Sequence, residues 1–594
     1  MNYFDRQNIR LMVAVMAVLF FIVTARLWHL QVLRGKEFRR IAEDNRLRIT
    51  DILAPRGIIY DRNGTPLVRN SPNFCVSVLP DMKKEARAGA IAALLSMPTE
   101  EITKLLAEKK GSIEPVKLKE RLPFEEVARI EARLSEFPEL TIDVEIARDY
   151  IYADIAAHLM GYIGKLTPAQ AKDPAFEDVP RTGYTGQWGL EKFFDKELRG
   201  VPGQRLIEVD ALGRELRIVG EIPPEKGREM TLALDLALQM AAEAEFGDRV
   251  GAFVALNPKT GELLGLMSRP SFNPNVFVPA IKPADWRDLA LDPRHPMLNR
   301  AFQSQYPPGS TFKIVTAIAA LEDGTVSPEN TVSCRGGFGL GSHVFGCWRH
   351  EGHGPVNIYK ALVESCDVYF YTYGLRTGMD RIAVYARALG FDAKPGLGLG
   401  SERKGLIPDS GWKQRAKKQK WYPGETVVAA IGQGYVAVTP LQMARLMGII
   451  GSGGKFIPAI SFLKYNGGEV RGEPVPIAFK ESTIKLVQDA LAGVVRDGAG
   501  TAHWTASSKL VSISGKTGTA QVISSLQGPD HAWFVAYAPS EDPEVAFAVI
   551  VENGGHGSSA AAPIAKKAIE AYIKAKQERE GIHYAGGQES SPKL

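Results

Sequence analysis

Tyr306-Pro-Pro-Gly-Ser310-Thr-Phe-Lys313-Ile-Val-Thr-Ala-Ile-Ala-Ala-Leu321 is a turn that runs into a helix apolar on nearly every side. A surface helix alternates apolar and polar faces at a 3.6-residue period; this one does not, so it is expected inside a large core. Ser310 falls at the helix start, where unpaired amides and the positive end of the helix dipole favour negative charge on a reacting oxygen. Lys313 follows three residues later on the same face. A lysine is a poor base at neutral pH, with an ordinary pKa of ~10.4, but burial and a second cation lower it.

The second cation is expected in Leu510-Val-Ser-Ile-Ser-Gly-Lys516-Thr517-Gly518-Thr519-Ala-Gln521, a β-patterned run whose Gly515 and Gly518 let a ligand approach the backbone. The Lys516 ammonium with the Thr517 and Thr519 hydroxyls suits a substrate carboxylate. Between these segments lies Ser365-Cys-Asp367. Ser365 would pass a proton between Lys313 and a leaving amine, and Asp367 would orient the two lysines. An ionised Asp367 accepts hydrogen bonds and does not donate them. Each triplet is common in isolation. Their order, with the first on a buried helix and the last on a strand, describes a serine acyl-transfer site.

Ser310-x-x-Lys313, Ser365-x-Asp367 and Lys516-Thr-Gly518 together resemble the signature of the penicillin-binding proteins. Arg56-Gly-Ile-Ile-Tyr-Asp61-Arg-Asn-Gly64, and Gly186-Gln-Trp-Gly-Leu-Glu191 through Leu198-Arg-Gly200, are similar to juxtamembrane and pedestal motifs of the class B group. Gly432-Gln-Gly434, Thr439-Pro-Leu-Gln442, His531-Ala-Trp-Phe534 and Glu552-Asn-Gly-Gly555 resemble the elongation-type members. No Glu-Asp-x-x-Phe glycosyltransferase signature precedes the catalytic region, which disfavours a bifunctional class A protein.

The resemblance implies an α+β multidomain chain: an N-terminal transmembrane helix, an elongated β-rich pedestal with an α-rich head insertion, and a C-terminal β-lactamase-like transpeptidase domain with helices on a mainly antiparallel sheet. It implies a D,D-transpeptidase that cross-links peptidoglycan stem peptides through a Ser310 acyl-enzyme and is trapped by β-lactams. Lys313 is the implied base. Ser310 and Thr519 amides form the oxyanion hole, and Thr517, Gly518 and Thr519 line the substrate site. Partners implied are a SEDS-family RodA-type glycosyltransferase and the rod-shape complex, met through the Leu11 to Leu33 helix and the Arg56 to Gly64 pedestal base.

The rest of the chain fits this organisation. Its 594 residues exceed one core, and 72 basic against 67 acidic residues, a net charge of +5, give no reason to invoke nucleic acid. Residues 1–10 read as a cytoplasmic tail and 11–33 as a membrane anchor. Leu11 to Ala25 lacks charge, and Arg26 to Leu33 extends the apolar helix past one snorkelling cation. Arg6 and Arg10 favour an N-terminus inside and a single pass through the bacterial plasma membrane, with the catalytic region extracytoplasmic. Val23-Thr-Ala25 as a signal-peptide cleavage site is the competing reading. Residues 34–230 read as the pedestal, with a helical head at about 83–140 whose helices cover Thr99 to Leu106 and Phe124 to Leu134. Residues 231–576 read as the transpeptidase domain, opening on a hairpin around Asn257-Pro-Lys-Thr-Gly261, and 577–594 as a disordered polar tail.

Three of only four cysteines, Cys334, Cys347 and Cys366, share a short window with His353, spaced Cys-x12-Cys-x5-His-x12-Cys. Three thiolates and an imidazole would make a closed structural zinc site that orders the Gly-rich segment 335–342 and holds Ser365 and Asp367 in register. An exported compartment equally permits one disulfide with a free thiol, and three unconnected buried thiols are the third reading. His343 and His350 read as loop histidines, and Cys75 as isolated.

Other functions make distinguishable demands. A β-lactamase needs a deacylating base such as a Glu-x-x-Leu-Asn loop, and none lies between Asp367 and Lys516. The division-specific class B transpeptidase shares most motifs. A carboxypeptidase fits the triplets but not the large pedestal, and a weakly catalytic penicillin-binding scaffold that activates a polymerase would keep Ser310 with turnover incidental.

Overall fold

The computed structural model describes residues 3–37, 47–78, 87–108, 115–180, 183–209, 215–278, 280–464, 473–521 and 528–581. The expected tail beyond 581 and the start of the expected head at 83–86 lie outside these residues. A helix over Tyr3–Trp28 continues as a π-helical turn, His29–Leu33. Its Asn8–Leu33 portion has a mean hydropathy of 2.3 and is long and apolar enough to cross a membrane. Leu11, Phe20 and Phe21 on it are exposed to the surroundings rather than packed on the protein.

The catalytic half is built on a fully antiparallel five-stranded sheet, ordered 263–269, 251–256, 545–551, 531–538, 514–520. Alternation along the strand Gly251–Leu256 sends Ala252, Val254 and Leu256 into one core, and Phe253 and Ala255 into another. That is why the strands read as continuous apolar runs: both faces are covered. Leu236–Phe246, capped by Asp235, and Ala562–Arg579 cover one face; Pro440–Gly451, with a Thr439/Gln442 capping box, lies on the other. The last helix passes Gln577, where the polar tail was expected to begin.

The pedestal centres on the strand Pro66–Val78, which pairs with Ile59–Tyr60, Val116–Lys119 and the long Leu140–Tyr150. A separate sheet joins Leu47–Ile52, Gly203–Val209 and Glu215–Ile222. The head helices Ala88–Leu95, Thr99–Glu108 and Phe124–Glu131 share a small core of Ile91, Leu95, Ile102, Val127 and Ile130 with Val76 and Val78. Cys75 is buried on the central pedestal strand.

Buried charge pins the pedestal together. Arg56 Nε donates to Glu191 Oε2 at 2.6 Å and its Nη2 to Asp195 Oδ1 at 2.8 Å, while Arg148 Nε meets the other Glu191 oxygen at 2.7 Å. Burial opposes the charge on Glu191, but the two arginines outweigh it and hold its carboxyl below the usual glutamate range. Asp195 also accepts from Arg199, whose far side holds Asp178.

The two halves meet through Arg269, which bonds Asp154 at 2.8 Å and Glu243 at 2.6 Å, and through His158, whose Nε2 lies 2.7 Å from the Pro296 carbonyl. Burial pushes the His158 imidazole down to about 4 from 6.5. Between those pH values the unfolded chain binds a proton that the folded chain refuses, so stability is present above pH 6.5 and is lost as the pH falls toward 4, by about 3 kcal/mol. His158→Gln is expected to flatten this dependence. Thermal midpoints at pH 7 and pH 4.5 check it; equal losses in both proteins would count against the assignment.

Candidate active site

Ser310 sits in a 3-10 turn, Gly309–Phe312, that feeds the helix Lys313–Glu322, so it leads into the buried helix rather than opening it. Gly309 is the reason the turn fits. Its φ is +55°, and a Cβ there would collide with the Thr519 carbonyl, so only glycine brings the Ser310 turn against the Lys516 strand. Pro308 O accepts from the Thr311 hydroxyl at 2.7 Å, and Pro307 O accepts from Trp533 Nε1 at 3.0 Å.

Lys313 is fully buried, and its Nζ contacts Asp367 Oδ1 at 2.7 Å, Ser365 O at 2.9 Å and Ser365 Oγ at 3.1 Å. Asp367 is bonded through both oxygens, the second accepting from the Trp348 amide at 2.9 Å. Ser365 has φ +55°, a conformation that costs a side-chain-bearing residue energy. Lys313 and the Trp348 indole, donating to Ser365 O at 3.1 Å, hold it there.

Lys516 is also fully buried, on the strand Ser514–Ala520 at the sheet edge, with its Nζ 3.0 Å from Thr517 O. Burial, reinforced by the charge of Lys313 and resisted by that of Asp367, pushes its pKa well below the usual lysine value. Thr517 Oγ1 lies 2.7 Å from Thr501 Oγ1, and Gly518 packs closely against Thr311 and Pro308. The expected residues Ser310, Lys313, Ser365, Asp367, Lys516, Thr517, Gly518 and Thr519 thus converge where the Ser310 turn crosses the Lys516 strand. Asp367 bonds one lysine directly and reaches the other only through its field.

Two positioning contacts escaped the sequence, Trp348 and Thr501. Trp348 adjoins Cys347, which was the one available signal. Tyr306 and Glu552, seen only as motif residues, turn out to be joined at 2.6 Å, with Arg300 on the same carboxylate oxygen at 2.8 Å.

The four metal-type side chains also come together. The donor atoms of Cys334, Cys347, His353 and Cys366 lie within 4.8 Å of one another, all four residues are buried, and no disulfide joins them. His353 Nδ1 is 3.6 Å from both Cys334 Sγ and Cys347 Sγ. Bonds of ~2.0 to 2.3 Å in a tetrahedron give ligand edges of roughly 3.5 Å, so this group can hold a metal ion. Without one, a hydrogen bond from the Cys366 thiol pulls the Cys347 pKa far down, and Cys366 is correspondingly pushed up. Two short hairpins shape the loop: Val332–Cys334 with Gly354–Val356, and Gly337–Leu340 with His343–Gly346. Cys366 immediately precedes the helix Asp367–Thr377.

A penicillin-binding protein transpeptidase domain matches residues 251–570, and a penicillin-binding protein dimerisation domain matches residues 51–232. The peptidoglycan D,D-transpeptidase MrdA of Acinetobacter baumannii is 36% identical over 581 residues, covering 94% of this chain and 86% of that protein. Among solved structures, the Helicobacter pylori complex between penicillin-binding protein PBP2 and MreC superposes with a TM-score of 0.78 at 28% identity, covering 89% of this chain and 100% of that one. A chain from a peptidoglycan synthase complex that coordinates polymerization and crosslinking gives 0.74 at 32% identity, covering 96% and 98%. Fold and matches define a penicillin-binding transpeptidase with its pedestal. The chain belongs to the class B penicillin-binding proteins, and within them it is most like penicillin-binding protein 2.

Proposed function

We infer that the chain is a serine-type peptidoglycan D,D-transpeptidase of cell-wall elongation and a β-lactam target. The observation that carries the mechanism is the buried contact of Lys313 with Ser365 and Asp367 directly behind the Ser310 turn. Ser310 Oγ attacks the penultimate D-alanine carbonyl of a donor stem peptide. As the ester forms, the amide to the terminal D-alanine breaks, and the hydroxyl proton travels through the lysines and Ser365 to the departing amine. Lys313 stands at the nucleophile. Lys516, whose neutral form is favoured by burial and by the charge of Lys313, is the second amine of the relay. Amides of Ser310 and Thr519 stabilise the oxyanion, and Thr517, Thr519 and Lys516 bind the terminal carboxylate. An acceptor-strand amine then takes the acyl group. Incubating the purified chain with nascent peptidoglycan should yield cross-linked muropeptides and free D-alanine; free D-alanine alone would make it a carboxypeptidase instead.

The cysteine cluster is read as a structural zinc site on Cys334, Cys347, His353 and Cys366. Zinc would close four soft ligands and so fix the residue between Ser365 and Asp367. Cys347→Ser, or chelation of the native chain, should release one zinc and lower the thermal midpoint by several degrees, with slower β-lactam acylation. An unchanged midpoint after chelation would remove zinc from the account.

The Asn8–Leu33 helix is read as a single-pass anchor, with Arg6 and Arg10 on the cytoplasmic side and the catalytic half outside the plasma membrane. A RodA-type glycosyltransferase and the rod-shape complex are read as partners. The similarity to chains solved with MreC and within a peptidoglycan synthase complex supports this.

A further inference from the structure

Tyr306, His531 and Glu552 stand far apart in the sequence, yet their side chains meet at the start of the turn that carries Ser310. Glu552 directly follows the strand Val545–Val551, and its backbone is fixed on both sides. Its amide donates to Val250 O at 2.7 Å, and the next amide, of Asn553, donates to His531 Nδ1 at 3.1 Å. The side chain reaches out from that anchor. Its Oε1 accepts from Arg300 Nε at 2.8 Å and from the Tyr306 hydroxyl at 2.6 Å, and hydrogen bonds to a charged oxygen are the strong ones. The Arg300 side chain is 4% exposed and gives its other nitrogens to the carbonyls of His295 and Arg294, so it holds the carboxylate still.

Tyr306 is what the carboxylate holds. Its ring packs edge-to-face on His531 and Trp533, with centroids 5.6 and 6.1 Å away, and its backbone pairs with Val438 in both directions at 2.9 Å. Only Pro307, Pro308 and Gly309 separate it from Ser310, and the two prolines have fixed φ. A shift of the tyrosine is therefore carried stiffly to the serine. Trp533 on Pro307 O and the Gly432 carbonyl on the Gly309 amide hold the later part of the same segment.

We propose that Glu552, acting through Tyr306, is a positioning residue for the nucleophile: it ties the Ser310 turn to the central sheet and sets where Ser310 stands against the Lys516 strand. This role rests on Ser310 being the acylated residue. A reacting atom displaced by about 1 Å loses most of its advantage, so a tether four residues away acts on the rate of the chemical step.

The full chain in detergent micelles is reacted with benzylpenicillin, and the second-order rate constant of acylation is read by quenched intact-mass spectrometry beside the thermal midpoint. Tyr306→Phe deletes the tether alone, because the ring is kept and Glu552 retains Arg300. It should lower the rate constant at least tenfold while the midpoint stays within a few degrees of the native value. Glu552→Asp draws the oxygen back by one methylene and should lose as much. Glu552→Gln keeps the reach without the charge and should restore most of the rate. A purely structural role would lower the midpoint or the acylated fraction and leave the rate constant of the folded chain alone. An unchanged rate constant in Tyr306→Phe, or a Glu552→Gln chain as slow as Glu552→Asp, overturns the proposal. Peptide mapping keeps the nucleophile separate: labelling of the native chain away from Ser310 would remove the acyl-transfer reading and the tether together, whereas labelling at Ser310 with no loss of rate in Tyr306→Phe removes the tether only.

Discussion

Ser310→Ala is expected to abolish covalent labelling by a β-lactam and to reduce transpeptidation by about 10,000-fold or more, while leaving the melting profile unchanged. The hydroxyl is the only atom lost, and Ser310 is partly exposed at a turn rather than packed in the core, so no cavity opens. Lys313→Ala should cost about as much, because nucleophile and proton carrier act as a unit and their losses do not add. That variant should also melt earlier, since it leaves Asp367 and the strained Ser365 without their shared partner. Intact-mass spectrometry after penicillin treatment, with mapping of the modified peptide, reads both. An adduct that persists in Ser310→Ala would show that another residue is the nucleophile.

Glu191→Ala should destabilise the pedestal by about 3 to 5 kcal/mol, the cost of stranding buried charges. Glu191 is fully buried and is shared by Arg56 and Arg148, so its removal leaves two guanidinium groups facing each other without their common counter-ion. Glu191→Gln keeps the shape and part of the hydrogen bonding and should fall between alanine and the native residue. Limited proteolysis should then cut first in the pedestal. A variant as stable as the native chain would mean that water or a neighbouring carboxylate takes over.

Much of this was legible in the sequence, because local chemistry fixes it. The apolar helix after Ser310, the hairpin at Asn257 to Gly261, the strand around Lys516 and the anchor announce themselves through periodicity and turn residues. The spacing put Cys334, Cys347, His353 and Cys366 in one window, and the fold brings their donor atoms within 4.8 Å of one another. What stayed hidden was decided by contacts between distant segments. Arg148 carries no signal of its own in the strand-like segment Val144 to Tyr150, yet it is buried in the pedestal and bonded to Glu191 and Asn70. Lys516 reads in the sequence only as a second cation; the structure buries it fully, and burial reinforced by the charge of Lys313 pushes its pKa well below the usual lysine value. Trp348 carries no signature by itself. Its value comes from facing Asp367 and Ser365 once the cysteine loop has folded.

The sheets also dictate an order of events as the chain emerges. The hairpin 251–269 and the head core close over short stretches, whereas Arg56 and Glu191 are 135 residues apart and Ile59–Tyr60 pairs with Met230–Thr231. The strand Gly251–Leu256 waits for Val545–Val551, and the turn bearing Ser310 waits for the Thr519 carbonyl against which Gly309 is wedged. Contacts so distant along the chain form late. A nascent chain therefore stays unreactive toward penicillin until nearly all of it has been made, and acquisition of penicillin reactivity during synthesis marks the completion of folding.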